Sequence, residues 1–343
     1  MMDQQTPTTS LAKATAPFFV GIDLGGTNIK FGVVDSDGRT VSCDSISTDS
    51  ERGVENAVAR MANKVGTMLA DSQIAADRVA AIGLATPGTM DIPAGMMLEP
   101  PNLPWRHFPI RDALSRAAGM KVVYANDASA AAFGEFWVGG GAEFPSVVFL
   151  TLGTGVGSGI IIDGVPLDGH HSHGGECGHI IIDSSRDARI CGCGQAGHLE
   201  AYCSATALVN RALELLQAGR ESSISSRLAA GQELTGLMIH EEAGTGDGLA
   251  LELIMELATH LGYGMVTIAH TIDPAAMILG GAMNFGGEED AVGQKFLAQV
   301  NQTFRSFSFP TLAELTQIVF ARLGGDAGYI GAAGIARREH LQH

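Results

Sequence analysis

The chain is short of positive charge. Its 343 residues hold 21 Lys and Arg against 37 Asp and Glu, a formal charge of −16. So acidic a surface repels phosphate backbones and anionic lipid, which argues against nucleic acid and membranes as partners. No basic run exists to hold a long polyphosphate. The opening MMDQQTPTTSLAKATAP lacks a basic segment followed by an apolar one, and no apolar run approaches the ~20 residues that span a bilayer, so a cytoplasmic protein is expected. Cysteine is scarce and odd in number, at five. In a reducing compartment, closely spaced cysteines point to a metal before a disulfide. Two nucleotide-binding signatures are missing as well. There is no GxxxxGK[ST] run. Gly153-Thr154-Gly155-Val156-Gly157 is followed by Ser158 and a strand, where a dinucleotide fingerprint needs a third glycine and a helix.

Glycine is abundant, at 45 residues in clusters with no three-residue period. That predicts several tight turns or backbone-lined sites. Residues 1–16 read as a flexible polar tail. Phe18–Leu24, Asn28–Val34 and Thr40–Ile46 read as an antiparallel meander turned by Gly25-Gly26 and by Asp35–Gly38. A helix over 53–70 follows, then a buried strand Val79–Leu84 ending in Thr86-Pro87-Gly88, and a Pro/Met-rich loop through Pro100-Pro101-Asn102-Leu103-Pro104-Trp105. Pro109–Ala118 reads as helix, Lys121–Ala125 as strand and Asp127–Trp137 as helix.

The opening pattern then returns. SVVFLTLGTGVGSGIIIDGVPL lies over VGIDLGGTNIKFGVVDSDGRTV as apolar strand, Gly/Thr turn, apolar strand and Asp-Gly turn. An internal repeat at this separation predicts two related α/β domains, each opening with a β-hairpin. Leu199–Gln217 and Asp247–Thr271 read as helices, Pro274–Leu279 as a strand ending in Gly280-Gly281, 288–301 as helix and Ile318–Ala321 as strand before a final helix. The expected division is a small domain over 17–126, joined by the C-terminal helix 327–343, and a large domain over 127–326.

Four groups of residues carry chemistry. Asp23-Leu24-Gly25-Gly26-Thr27-Asn28 sits at a strand–turn–strand junction. Its glycines let backbone N–H groups approach an anion, Thr27 adds a hydroxyl donor, and Asp23 would hold Mg²⁺ through water. Gly153-Thr154-Gly155 is the matching turn of the repeat, and two such turns suit phosphates clasped between two domains. Asn126-Asp127 joins a strand to a helix. An N-cap reads as readily there as a weak base, and the two roles are compatible. Cys191 and Cys193, with His198 after them and His179 before, make a two-Cys, two-His set suited to tetrahedral zinc. His170, His171 and His173 are nearby alternative ligands that read better as solvated loop residues, and Cys43, Cys177 and Cys203 read as small core residues. Glu176, His179 and Glu200 flank the metal loop like a polar pocket for hydroxyl groups.

These motifs in order (DLGGTNIK, ATPG, PNLPW, YANDASAAAFGE, LGTGVGSGIIIDG, HGGECGH, CGCGQAGHLE and ILGGAM) resemble the ROK family of sugar kinases and repressors, nearest to its bacterial glucokinases. The resemblance covers nearly everything after the tail. It implies the duplicated α/β fold of hexokinases and actin, with ATP and Mg²⁺ in a cleft. It implies Asp127 as catalytic base and Gly88, Asn102, Asn126, Asp127, Glu176, His179 and Glu200 as hexose ligands. The nucleotide would meet Asp23, Gly25, Gly26, Thr27, Asn28, Lys30, Gly153, Thr154, Gly155, Gly280 and Gly281. Zinc would be held by His179, Cys191, Cys193 and His198, the last standing where most members have Cys. ATP-dependent phosphorylation of a hexose 6-hydroxyl is the implied activity, with glucose first and fructose, mannose, allose or an N-acetylhexosamine as alternatives. A homodimer is the family's usual state. A repressor of this family would need an N-terminal helix-turn-helix, for which about 17 residues before the first strand are too few.

Overall fold

The computed structural model describes residues 8–342. In chain order these form β1 (Phe18–Leu24), β2 (Asn28–Val34), β3 (Thr40–Ser47), α1 (Val54–Asp71), β4 (Val79–Thr86), β5 (Thr89–Asp91), β6 (Met96–Glu99), α2 (Ile110–Ala118), β7 (Val122–Asn126) and α3 (Asp127–Val138). The repeat follows with β8 (Ser146–Leu152), β9 (Val156–Ile162) and β10 (Val165–Pro166). Beyond it come α4 (Glu200–Cys203), α5 (Ala205–Gln217), α6 (Ile224–Ala229), α7 (Gly236–Gly244), α8 (Gly248–Ile272), β11 (Ala276–Gly280), α9 (Ala291–Phe307), α10 (Pro310–Leu315), β12 (Gln317–Phe320) and α11 (Ala327–Leu341).

The internal repeat is a repeat of topology. One sheet has the order β3-β2-β1-β4-β7 and the other β10-β9-β8-β11-β12. In the first, β1–β2 and β2–β3 pair antiparallel while β1–β4 and β4–β7 pair parallel. In the second, β9–β10 pair antiparallel while β8–β11 and β11–β12 pair parallel. Parallel neighbours need helical crossovers, which is why each sheet is built from one meander and two βα steps.

The chain divides into two compact units, one of residues 1–146, 159–175 and 321–343, the other of 147–158 and 176–320. α11 belongs with the first sheet, and so does α3, so the first unit runs to residue 146 where the sequence reading ended it at 126. The reason is backbone proximity. A Cβ on Gly331 would stand 1.6 Å from the Ala130 carbonyl oxygen, so only glycine lets α11 and α3 meet there. Gly21 and Gly83 likewise leave a flat place on the sheet, since their Cβ atoms would strike the Tyr329 and Ala332 carbonyls at 1.8 and 1.9 Å. Much of the glycine therefore serves helix–sheet packing, beyond the turns it predicts. The opposite face of this sheet buries Phe18, Val20, Ile22 and Leu24 with Val58, Met61 and Val65 of α1.

Several local expectations shift. Residues 1–7 of the expected tail lie outside the described residues, and the rest is tied down: Thr9 N–H donates to the Thr40 carbonyl at 2.7 Å and Thr15 N–H to Asp35 Oδ2 at 3.0 Å. The Pro/Met-rich loop contains the β5–β6 hairpin. The helix expected over Leu199–Gln217 is two, because the Ser204 hydroxyl accepts the Ala207 N–H and starts α5 afresh. The helices α6 and α7, of 6 and 9 residues, are too short to show a period. α8, 25 residues long, is apolar enough by length and composition to cross a bilayer, contrary to the run-length reading. Leu253, Ile254, Leu257, Leu261 and Met265 of its length are instead buried, and the helix packs against α7 and α9.

Candidate functional site

In the first unit the β1–β2 turn is fastened from inside. Gly25 N–H donates to the Asn28 carbonyl at 3.0 Å, the buried Thr48 hydroxyl donates to the Gly25 carbonyl at 2.7 Å, and Thr48 N–H reaches the Thr27 carbonyl at 2.8 Å. Thr27 and Asn28 remain exposed at the tip. Thr48 was not readable as part of this turn, since a lone Thr beyond a strand carries no pattern. Asp23 and Lys30 are directly opposed across the hairpin. Burial pushes the Asp23 carboxyl up to about 6, with the Lys30 charge opposing. Part of that burial comes from α11, because a Cβ on Gly328 would lie 2.2 Å from Asp23 Oδ2. Lys30 Nζ donates to the Gly325 carbonyl at 2.8 Å. The Gly324–Gly328 segment, read from sequence only as a turn into the last helix, thus lines the same place as Asp23 and Lys30.

The proline-rich loop comes to this turn. A Cβ on Gly26 would be 3.0 Å from Cβ of Asn102. Gly88, at φ +83°, backs onto the same loop, and a side chain there would strike Cα of Pro100 at 2.6 Å. Trp105 Nε1 anchors the loop by donating to the Ser50 carbonyl at 3.0 Å. Gly26 and Gly88 therefore both lie against this loop, Gly26 at Asn102 and Gly88 at Pro100.

At the end of β7 the cap is Asn126, whose side chain accepts the Ala128 and Ser129 N–H groups at 2.9 and 3.1 Å. Asp127 is the first helical residue, with Oδ1 at 2.8 Å from the Ala128 nitrogen. Asn126 thus takes the capping role considered for Asp127. Asp127 stands half-buried at the positive end of a 12-residue helix, where an anion is favoured.

In the second unit the Gly153–Gly155 turn is fixed to the start of α5. Ala205 N–H donates to the Gly153 carbonyl at 2.8 Å and the Thr206 hydroxyl to the Thr154 carbonyl at 3.0 Å. Gly281, at φ +89°, lies against the end of β8, where a Cβ would meet the Leu152 carbonyl oxygen at 2.3 Å. The two glycine turns, Gly153–Gly155 and Gly280-Gly281, therefore adjoin through Leu152.

The metal loop closes on itself. Ligand atoms of His179, Cys191, Cys193 and His198 all lie within 4.8 Å of one another, and His170, His171 and His173 are not in the group. The two Nδ1 atoms of His179 and His198 are 3.3 Å apart, Cys193 Sγ is 3.2 Å from His198 Nδ1 and Cys191 Sγ is 3.9 Å from His179 Nδ1. Zn–N near 2.0–2.1 Å and Zn–S near 2.3 Å in a tetrahedron place such donors about 3.3–3.8 Å apart. Two thiolates and two imidazoles at these separations suit zinc. Burial, reinforced by the Glu200 carboxylate, pushes the Cys191 thiol up to about 12, a protonation that a bound cation reverses by drawing out the thiolate.

Glu200 joins these parts. Its Oε2 accepts the Val156 N–H at 2.9 Å, just past the Gly153–Gly155 turn, and its Oε1 lies 3.3 Å from Cys191 Sγ. Glu176 precedes the turn that presents His179, whose N–H donates to the Glu176 carbonyl at 3.1 Å. Cys177 and Cys203 are buried thiols and Cys43 is half-buried.

The ROK family profile matches residues 19–339. The chain belongs to the ROK family. It is 30% identical to a glucokinase of Halalkalibacterium halodurans over 94% of this chain and 96% of that protein. Among solved structures, the ROK hexokinase from Thermus thermophilus superposes with a TM-score of 0.81 at 30% identity, covering 95% of this chain and 100% of that one. A ROK glucokinase from Streptomyces griseus, solved with glucose and AMPPNP, gives 0.73 at 33% identity over 94% and 99% of the two chains. The fold is accordingly the hexokinase-like, actin-like one, and the doubled strand order of the two sheets is its signature in this ROK chain.

Proposed function

We propose that this ROK protein is an ATP-dependent hexose kinase whose first substrate is glucose, phosphorylated at the 6-hydroxyl. The observation that carries the reading is the β7–α3 junction. Asn126 does the capping, so a carboxylate at Asp127 is not required for the helix to start. Asp127 accepts the proton of the 6-hydroxyl as that oxygen attacks the γ-phosphate in line. Phosphoryl transfer has a loose transition state, so a weak base suffices and positioning contributes most of the rate. Gly88, Asn102, Asn126, Glu176, His179 and Glu200 hold the sugar hydroxyls. Gly25, Gly26, Thr27, Asn28 and Lys30, with Gly153, Thr154 and Gly155, receive the phosphates through backbone N–H groups, hydroxyls and the ammonium. Gly280 and Gly281 leave room for the adenosine.

Mg²⁺ carried with ATP would be held through water by Asp23 and would spread charge developing on the phosphates. Zinc would be held by His179, Cys191, Cys193 and His198 in a structural role. Those four residues fix the loop that ends at Glu200 and leave Nε2 of His179 to face a hydroxyl. A cytoplasmic homodimer accompanies this reading.

A coupled assay over glucose, fructose, mannose, allose and N-acetylhexosamines tests it. Glucose should give the highest kcat/KM. A larger value for another hexose changes the substrate, and no turnover with any of them refutes the kinase.

A further inference from the structure

We infer that Tyr202 is a positioning residue whose hydroxyl latches the metal loop and, through it, holds Glu200 in place. The inference rests on the metal reading above. Tyr202 lies on α4, two residues beyond Glu200, and is only 5% exposed. Its hydroxyl works in both directions, as a phenol can. It donates to Asp183 Oδ2 at 2.6 Å and accepts the Arg189 N–H at 3.0 Å. Asp183 stands where the chain enters the loop, and Arg189 stands two residues before Cys191. One oxygen thus joins three points along the chain: the loop's entrance, the approach to its first cysteine, and the helix that begins with Glu200.

The ring adds a second grip. The Arg189 guanidinium lies 4.7 Å above its centroid and the His260 ring of α8 lies 4.8 Å away. Arg189 also pairs with Glu256 of α8 at 2.6 Å. The guanidinium is therefore held from two sides, by the face of Tyr202 and by a carboxylate on the longest helix of its unit. Backbone bonds inside the loop close it around the ligands: Ile182 N–H reaches the Gly197 carbonyl at 2.9 Å, Gly197 N–H the Arg189 carbonyl at 2.9 Å and Leu199 N–H the Ile180 carbonyl at 2.9 Å. These bonds order the loop internally. The Tyr202 hydroxyl adds to the Glu200–Cys191 contact a tie between that ordered loop and the helix bearing Glu200.

The test compares wild type with Tyr202→Phe as purified holoprotein. Zinc content is measured first, then zinc release to a chromogenic chelator, then KM for glucose and for ATP. The expected result is one zinc per wild-type chain, with release from Tyr202→Phe about two- to tenfold faster, KM for glucose raised severalfold and KM for ATP within about twofold. Phe preserves the ring and its stacking, so a purely packing role predicts no change in release. Asp183→Ala, made at a half-buried position outside the core, should move zinc release the same way and covers the case of a poorly folding Tyr202→Phe. Arg211→Ala, which loses a different contact to Glu256, should release zinc at the wild-type rate. Release from Tyr202→Phe and Asp183→Ala at the wild-type rate overturns the latch. A wild-type chain lacking zinc overturns the metal reading beneath it, a result distinct from zinc held equally well by every variant.

Discussion

Asn126 caps the helix that Asp127 begins. Its Oδ1 takes the N–H groups of Ala128 and Ser129, which separates the task of starting α3 from the chemistry proposed next door. Asp127→Asn should therefore lower kcat by about 10²–10⁴-fold or more, the usual worth of a general base, with glucose binding and unfolding midpoint little changed. Asn126→Ala should destabilise the protein by about 1 kcal/mol through the lost cap. Steady-state kinetics beside denaturant titrations separate the two. Near wild-type turnover in Asp127→Asn removes Asp127 from the mechanism.

Asp23 makes stability depend on pH. Its carboxyl is raised from 3.8 to about 6, mainly by burial. Between those values the folded protein holds a proton that the unfolded chain has released. Stability from this group is thus full below about pH 4, falls as the pH rises through about 6, and is level above it. Asp23→Asn should raise the unfolding free energy at pH 8 by an amount on the order of 1–3 kcal/mol, read from urea titration, and give little gain at pH 4. The same variant should bind MgATP worse, because a strained charge kept at a site is commonly functional. A variant less stable than wild type at pH 8 would mean that the Lys30 attraction outweighs burial.

The two glycine turns should respond differently to a side chain. Gly26→Val presses on Asn102, so it should raise KM for glucose as well as for ATP. Nothing stands within 4 Å of a Cβ at Gly153, so Gly153→Val leaves the protein's own packing intact and should raise KM for ATP selectively. A selective rise for glucose at Gly153 would assign that turn to the wrong substrate.

The metal set predicts that His198→Cys keeps zinc, since thiolate and imidazole are both competent ligands. His198→Ala should lose it or bind it far more weakly, with KM for glucose rising and KM for ATP hardly affected. Metal analysis of the three proteins decides this. Full zinc in His198→Ala would pass the fourth position to another ligand.

The doubled hairpin architecture was legible in the residues, because strand period and Gly/Thr turns are local properties, and so was the Cys/His cluster, because Cys191, Cys193 and His198 lie within eight residues. The sequence also placed Asp127 at a strand–helix junction, but could not say whether Asp127 or Asn126 caps, since both residue types do so and only backbone geometry separates them. Tertiary structure alone decided the rest. Gly328 beside Asp23, Thr48 under the β1–β2 turn, Asn102 against Gly26 and Tyr202 between Asp183 and Arg189 join residues from 13 to 305 positions apart. No local period records such pairs. They exist because strands, loops and helices distant in the chain pack together, and which side chains meet there is set by that packing.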